Sequence, residues 1–285
     1  MARGTVVAGK RVPPWRPGNR RIAALERVAA QGWPAPDTAP LGQWLLRAAD
    51  GWTSRANSAL ALGDPGLPLP DALAAVVDWY TGRGLPPRVT TPLPLAAAAA
   101  DALAAAGWIP QPTVLVQTAP LRAIPGPDPA AADVDTDDGP AVRLATEPAE
   151  EWLAAMAERK GALPAAARHV LTAVDEVRFA AAHRDGELLG TARGVVTDGW
   201  LGISLVGVAP HARRTGLARR MTHALVRWGR ELGATRAYLQ VEEDNPAAVA
   251  LYAGLGFTTH HTYVTWLLSD APGGAAGSVG SPRTA

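Results

Sequence analysis

The sequence predicts an α+β fold: two consecutive modules, each a mixed, mostly antiparallel sheet flanked by helices. Three observations predict it. Apolar runs are joined by Asp185-Gly186 and Asp198-Gly199, dipeptides suited to tight hairpin turns. Leu217, Met221, Leu225, Trp228 and Leu232 recur at intervals of three and four, the mark of an amphipathic helix. The stretch from Ile124 to Pro140 is rich in Pro, Gly and Asp and lacks apolar periodicity, so it divides the chain near its middle.

Taken in order, residues 1–16 read as irregular and 17–124 as the first module. Trp44 to Ala48 and Ser58 to Leu62 read as hairpin strands around Asp50-Gly51. Pro70 to Thr81 is a helix, with Leu73, Val76, Val77 and Tyr80 on one stripe. Val89 to Pro92 is the next strand. Leu95 to Ala106 is an alanine-rich helix stopped by Gly107-Trp108, and Val114 to Gln117 is a last strand. Residues 125–140 form the linker.

The second module spans 141–269. Val142 to Ala145 is a strand, Glu147 to Lys160 and Pro164 to Val174 are helices, and Val177 to Ala182, Leu188 to Val196 and Trp200 to Val208 are hairpin strands. The amphipathic helix from Leu217 is closed by Gly233. Ala237 to Val241 is a strand. Asn245 and Pro246 start a short helix as N-cap and first helical residue. His261 to Leu268 is the last strand. The tail 270–285 is Gly/Ser/Ala-rich and predicted to be disordered. The two modules share a strand–helix–strand–helix–Gly-aromatic–strand order, which suggests duplication.

Composition narrows the function classes. The 285 residues carry 27 Lys+Arg against 26 Asp+Glu, a net charge of +1, which gives no footprint for nucleic acid. No apolar run is long enough to span a bilayer, and no signal peptide is evident, so a cytoplasmic protein with no membrane partner is expected. There is no cysteine, which excludes disulfides and thiolate catalysis. No metal site is expected, because His260-His261 has no third ligand at metal spacing.

The chemistry lies in Leu205-Val-Gly-Val-Ala-Pro-His-Ala-Arg-Arg-Thr-Gly-Leu-Ala-Arg-Arg-Met221. A strand runs through a loop into the amphipathic helix. A helix start leaves backbone N–H groups unpaired, and its dipole favours an anion. Gly216 lets the backbone approach a ligand without a Cβ, Ala218 is small for the same reason, and Arg213 and Arg214 add charge. This is a seat for a phosphate or pyrophosphate. A dinucleotide fingerprint needs more glycines and a Walker loop needs a lysine after Gly216, and neither is present.

Arg213, Gly216 and Ala218 fit the pattern Arg/Gln-x-x-Gly-x-Gly/Ala. This resembles the coenzyme A loop of the GCN5-related N-acetyltransferases (GNATs). Asn245, Ala248, Leu251, Tyr252, Gly256 and Phe257 are similar to that family's second motif, and Val208 and Pro210 to its preceding V-x-P. One departure is Ala218, where glycine is commoner. Gly51-Trp-Thr-Ser-Arg-Ala-Asn-Ser58, Asp78-Trp-Tyr80 and Gly84-Leu-Pro-Pro87 resemble a histone-acetyltransferase-like subgroup of actinobacterial tandem GNATs. The first module lacks the coenzyme loop, with Pro86 where the glycine would stand after Arg83, and reads as a degenerate copy.

The resemblance implies acetyl-CoA as cosubstrate and direct transfer to a primary amine of a small molecule or peptide. It implies that the strands ending at Val208 and Val241 splay apart. Main-chain groups of Val206 and Val208 would then bond the pantetheine and acetyl oxygen. Arg213, Arg214, Thr215, Gly216, Leu217, Ala218 and Arg219 would wrap the pyrophosphate. Tyr252 is the candidate general acid and a cofactor contact, or else a core aromatic, with Asn245 a further cofactor contact or simply an N-cap. The strand before the loop holds no carboxylate, so Glu242, Glu243 and Asp198 are left as candidate bases or as solvated charges; Glu242 is carried as the catalytic choice. Ser204 is a polar wall. Arg55, Asn57 and Ser58 either line an acceptor cleft or form a satisfied turn. A non-catalytic acyl-CoA-binding module is the alternative, and the assembly is expected to be a monomer or homodimer.

Overall fold

The computed structural model describes residues 18–126 and 140–269. The readings for residues 1–16, for nearly all of the linker and for the tail lie outside the described residues.

The first half runs α1 (Asn19–Gln31), β1 (Asp37–Leu41), β2 (Trp44–Ala48), β3 (Ala59–Leu60), α2 (Leu69–Thr81), β4 (Arg88–Leu93), α3 (Ala97–Ala105), β5 (Ile109–Pro110) and β6 (Val114–Pro120). The second runs β7 (Ala141–Ala145), α4 (Glu150–Lys160), α5 (Ala165–Thr172), β8 (Val177–Arg184), β9 (Glu187–Thr197), β10 (Trp200–Val208), α6 (Leu217–Glu231), β11 (Arg236–Glu242), α7 (Pro246–Ala253) and β12 (Thr258–Leu267). Elements of the second half fall close to where periodicity and turn chemistry put them. In the first half β2 forms its hairpin with β1, through Leu41 and Trp44, and touches β3 only at Leu45 and Leu60. The hairpin expected around Asp50-Gly51 is instead a loop tied down by Asn57. The buried Asn57 amide accepts from Ala49 and Gly51 N–H and donates to Trp52 and Thr53 carbonyls, so the chain is held out of the ladder.

The α+β class and the mostly antiparallel sheet stand. Chain order does not disclose that the two sheets are one. Strands follow the order β1-β2-β3-β4-β12-β6-β11-β10-β9-β8-β7, with β5 paired to β12. Among the described residues only β3/β4 and β10/β11 are parallel. In each half the last long strand is separated from its predecessor by the other half's last strand. β6 pairs with β11 from Arg236↔Pro120 to Glu242↔Val114, and β12 pairs with β4 from Thr262↔Leu93 to Leu267↔Arg88.

Helices cover both faces. On one face α6 sinks Leu217, Met221, Leu225 and Trp228 among Leu201, Ile203, Leu239 and Tyr252. Each such side chain contributes about 1.5–3 kcal/mol on leaving water. On the other, α1 packs Leu25, Val28 and Ala29 on Val116, Tyr238 and Tyr263. Beside it, Trp152 and Met156 of α4 and Val170 and Leu171 of α5 meet Phe179, Val195 and, from the first half, Trp33 and Trp52. The halves therefore share core as well as sheet.

Candidate active site

The site begins as a fork. β10 and β11 pair only from Trp200↔Arg236 to Ile203↔Leu239, although β10 continues to Val208 and β11 to Glu242. The cause is local. Leu205 has φ +56°, and the register with β9 slips between Ser204 and Gly207. This bulge turns the end of β10 away while keeping Gly207 and Val208 paired to Thr191 and Gly190 of β9. The β11-facing edge at Val206 and Val208 is thus left without a ladder partner, as the splay required.

The loop after Val208 brings the chain back to the same end. Arg214 (φ +62°) and Gly216 (φ +79°) both adopt left-handed backbone and form the corner. The Arg213 Nε donates to the Val208 carbonyl at 3.4 Å, and the Thr215 Oγ1 donates to the Ala212 carbonyl at 2.8 Å. Gly216 is the N-cap of α6 and supplies no side-chain cap, and no acid lies in the first turn. The N–H groups of Leu217, Ala218 and Arg219 precede the first intrahelical acceptor, so they face outward beside exposed Arg213, Arg214 and Arg219. Leu217 itself is buried and anchors the turn. A pyrophosphate fits this end on backbone grounds.

Tyr252 is buried against Phe257, their ring centres 5.8 Å apart and edge-on. Burial pushes its phenol well above the ordinary tyrosine range, so it stays protonated at neutral pH. Its hydroxyl makes no hydrogen bond with another described residue. The cluster holding Tyr252 also contains Val241 and, at its edge, Val206 and Val208. Asn245 caps α7, its Oδ1 accepting from Ala248 N–H at 3.1 Å, so that part of its chemistry is structural.

The candidate bases separate. Glu242 is exposed at the end of β11, on the open limb of the fork and within Coulombic reach of Lys160. Glu243 follows it and donates its N–H to the Thr113 carbonyl. Asp198 sits in the turn before β10, at the opposite end of that strand. At about 3.3 Å per residue it is roughly 20 Å or more from Val206, too far to act. Ser204 lies at the mouth of the fork, one residue past the last β10/β11 pair and still paired to Arg193 of β9.

Two features lie on the opposite face, and only the first has no counterpart in the sequence reading. Arg159 reaches from α4 across β10, so that a Cβ on Gly207 would fall 1.2 Å from its Nη1. Its guanidinium also donates to Thr191 Oγ1 and to the Ala155 carbonyl. A glycine inside a strand was the available signal of such an approach. The second feature divides the Arg55, Asn57, Ser58 trio. Asn57 is fully spent on its turn. Ser58 is held by Arg47 and Thr90. Arg55 alone is uncommitted to that turn, its guanidinium 4.3 Å over the Trp33 ring.

Three histidines have partners of their own. His261 pairs with Glu26 of α1 at 2.8 Å, and His260 meets His261 at 2.9 Å. His211 pairs with Glu187 at 3.3 Å. Among the described residues no three potential ligands cluster to hold a metal, and no helix is long and apolar enough to cross a membrane.

Comparison with known proteins agrees with this geometry. The family described as probable histone acetyltransferase Rv0428c C-terminal matches residues 20–265. The uncharacterized N-acetyltransferase YobR of Bacillus subtilis is 30% identical over 248 residues, covering 84% of this chain and 97% of the relative. A GCN5-related N-acetyltransferase from Kribbella flavida shares the fold with a TM-score of 0.67 at 20% identity, covering 89% of this chain and 96% of that one. A tandem GNAT protein from the clavulanic acid biosynthesis pathway shares it with a TM-score of 0.54 at 15% identity, covering 87% of each. Bulged fork, left-handed glycine at a helix start and the match along nearly the whole described chain lead to one assignment: the chain belongs to the GNAT superfamily, in the family of the Rv0428c C-terminal region, with a tandem arrangement of modules.

Proposed function

We propose that the chain transfers an acetyl group from acetyl-CoA directly to a primary amine of a small molecule or peptide. GNAT acetyltransferases use acetyl-CoA, and the observation that carries the reading here is the coincidence of two features at one end of the sheet. The unpaired limbs of the β10/β11 fork offer main-chain groups to an extended amide chain, and the uncapped start of α6 offers N–H groups to a pyrophosphate. Amides of Val206 and Val208 orient the thioester and polarise its carbonyl. The amine nitrogen bonds to the carbonyl carbon, the C–S bond breaks, and the departing sulfur takes its proton from the Tyr252 hydroxyl. The phenol is protonated at neutral pH and its hydroxyl is not engaged by another described residue, so it can give its proton to the sulfur and regain one from water. The proton lost by the amine goes to water or to Glu242 on the exposed limb.

The test is release of free thiol from acetyl-CoA over a panel of amines, peptides and aminoglycosides. Tyr252→Phe is expected to lower kcat about 100-fold while leaving acetyl-CoA affinity within about twofold. The absence of a carboxylate on β10 favours one second reading, a non-catalytic acyl-CoA-binding module. Saturable acetyl-CoA binding without turnover of any amine would establish that alternative instead.

A further inference from the structure

On the face of the sheet away from α6, a cavity lies between the two halves. Glu26, Arg47, Arg55, Thr90, Gln240 and Tyr263 line it, around a space of about 10 Å³, room for one water. It shares a wall with the fork. Gln240 is the residue after Leu239, the last one of β11 to pair with β10. A group bound beside Gln240 is therefore one strand residue, about 3.3 Å, from the point where the limbs part.

The polar lining is committed, with one exception. Arg47 donates to the Ser58 carbonyl and Oγ, Thr90 bonds Ser58 and Thr265, Tyr263 donates to Gln240 Oε1, and Glu26 is held by His261. Arg55 is partly buried on Trp33, which is itself stacked on Trp52 at 5.6 Å. It has no carboxylate and no hydrogen-bond acceptor among the described residues. Its surroundings are cationic. Arg193, buried and bonded to the Gly32, Val170 and Leu171 carbonyls, lies 5.1 Å from the same Trp33 ring, and Arg47 is fully enclosed nearby. The one acid in the lining, Glu26, already has its partner. Guanidinium groups drawn out of water want an anion, and an unanswered one in such company marks a place where an anion arrives from outside.

We infer that Arg55, in the wall of this cavity, pairs with the carboxylate of the acceptor, so that the substrate is a small amine that also carries a carboxylate. A guanidinium laid flat on an indole keeps an edge for a planar two-oxygen partner. The short step from cavity to fork matches an amine and a carboxylate separated by a few bonds. The first module, which has no coenzyme loop, thereby contributes a specificity residue to the second. The inference rests on the acyl-transfer reading above.

Thiol release from acetyl-CoA is measured with L-alanine, L-glutamate, β-alanine and γ-aminobutyrate, each beside its carboxamide. At least one carboxylate is expected to exceed its carboxamide about tenfold or more in kcat/KM. Arg55→Gln should erase that preference through KM, and Arg55→Lys should retain part of it. An unchanged acetyl-CoA Kd and melting temperature identify a folded variant. Equal turnover of carboxylates and carboxamides, an unaltered preference in Arg55→Gln, or turnover confined to amines without a carboxylate overturns this inference alone. Absence of acetyl-CoA binding or of all turnover overturns the acyl-transfer reading, and this inference with it.

Discussion

A single backbone angle sets the end of the coenzyme loop. Gly216 sits at φ +79°, and a Cβ built there meets no protein atom within 4 Å. The demand for glycine is therefore not made by neighbouring side chains. It comes from the left-handed corner and from whatever must lie against it. Gly216→Ala should cost about 1 kcal/mol of stability from the corner alone. Gly216→Val should weaken acetyl-CoA about tenfold or more, because its branches stand where the outward N–H groups receive a phosphate. Calorimetric titration alongside apo melting curves separates the two effects, and a folded Gly216→Val chain with native affinity would count against the site. This residue was legible in the sequence because everything that defines it is local: a strand, an arginine-bearing loop and the first turn of a strongly periodic helix. Tyr252 was legible for the same reason. In the sequence Arg55 stands with Asn57 and Ser58 as either cleft lining or turn, a choice that only a ring far away in sequence decides; Arg159 sits in no pattern and acquires meaning only from a strand far away in sequence.

At the level of elements, α1 and β12 are joined by a buried polar contact running from Glu26 to His261 and on to His260. Burial first, then the neighbouring His261, lowers His260 to about 4, with Arg21 adding to the effect and Glu26 opposing it. The folded chain thus resists a proton that the unfolded chain accepts near the ordinary histidine pKa of about 6.5. The sign follows from linkage: stability is full above about pH 6.5 and declines as pH falls toward about 4. Thermal melts between those values should show the decline, and His260→Asn should flatten it; an equally steep profile in the variant would place the proton elsewhere. Neither partner helix nor contact was foreseen. α1 shows helical spacing in Ile22, Leu25 and Ala29, a signal present but unread, and β1 hides behind Pro40 and exposed polar residues that suit an edge strand. The elements that were read correctly, α6 above all, are those whose own residues define both the buried and the exposed face.

For the molecule as a whole, the exchange of final strands matters most. Periodicity identifies β6 and β12 as strands, but no local pattern says which neighbours they choose, so two like modules can be read from the chain while their joining cannot. Residues 140–269 alone would lose β6, and with it the partner of β11 along Arg236–Glu242, and would also lose the covering of Tyr238 and Tyr263 by α1. That fragment is expected to be unfolded or aggregated, with an unpaired edge at the centre of its sheet. Mixing it with a fragment of residues 18–126 during refolding should restore native circular dichroism and acetyl-CoA binding. A 140–269 fragment that folds alone would show that the exchange is dispensable.

The same exchange sets a schedule for synthesis. β4, finished at Leu93, must wait for Thr262 to leave the ribosome before its free edge is covered. For most of translation the leading half is a nascent sheet with an exposed hydrogen-bonding flank, unable to complete itself however long it pauses. Contacts of such long sequence separation fold slowly and keep aggregation-prone edges open meanwhile. Production of this chain in the cell should therefore depend on chaperone occupancy during elongation far more than the modest size of either half would suggest.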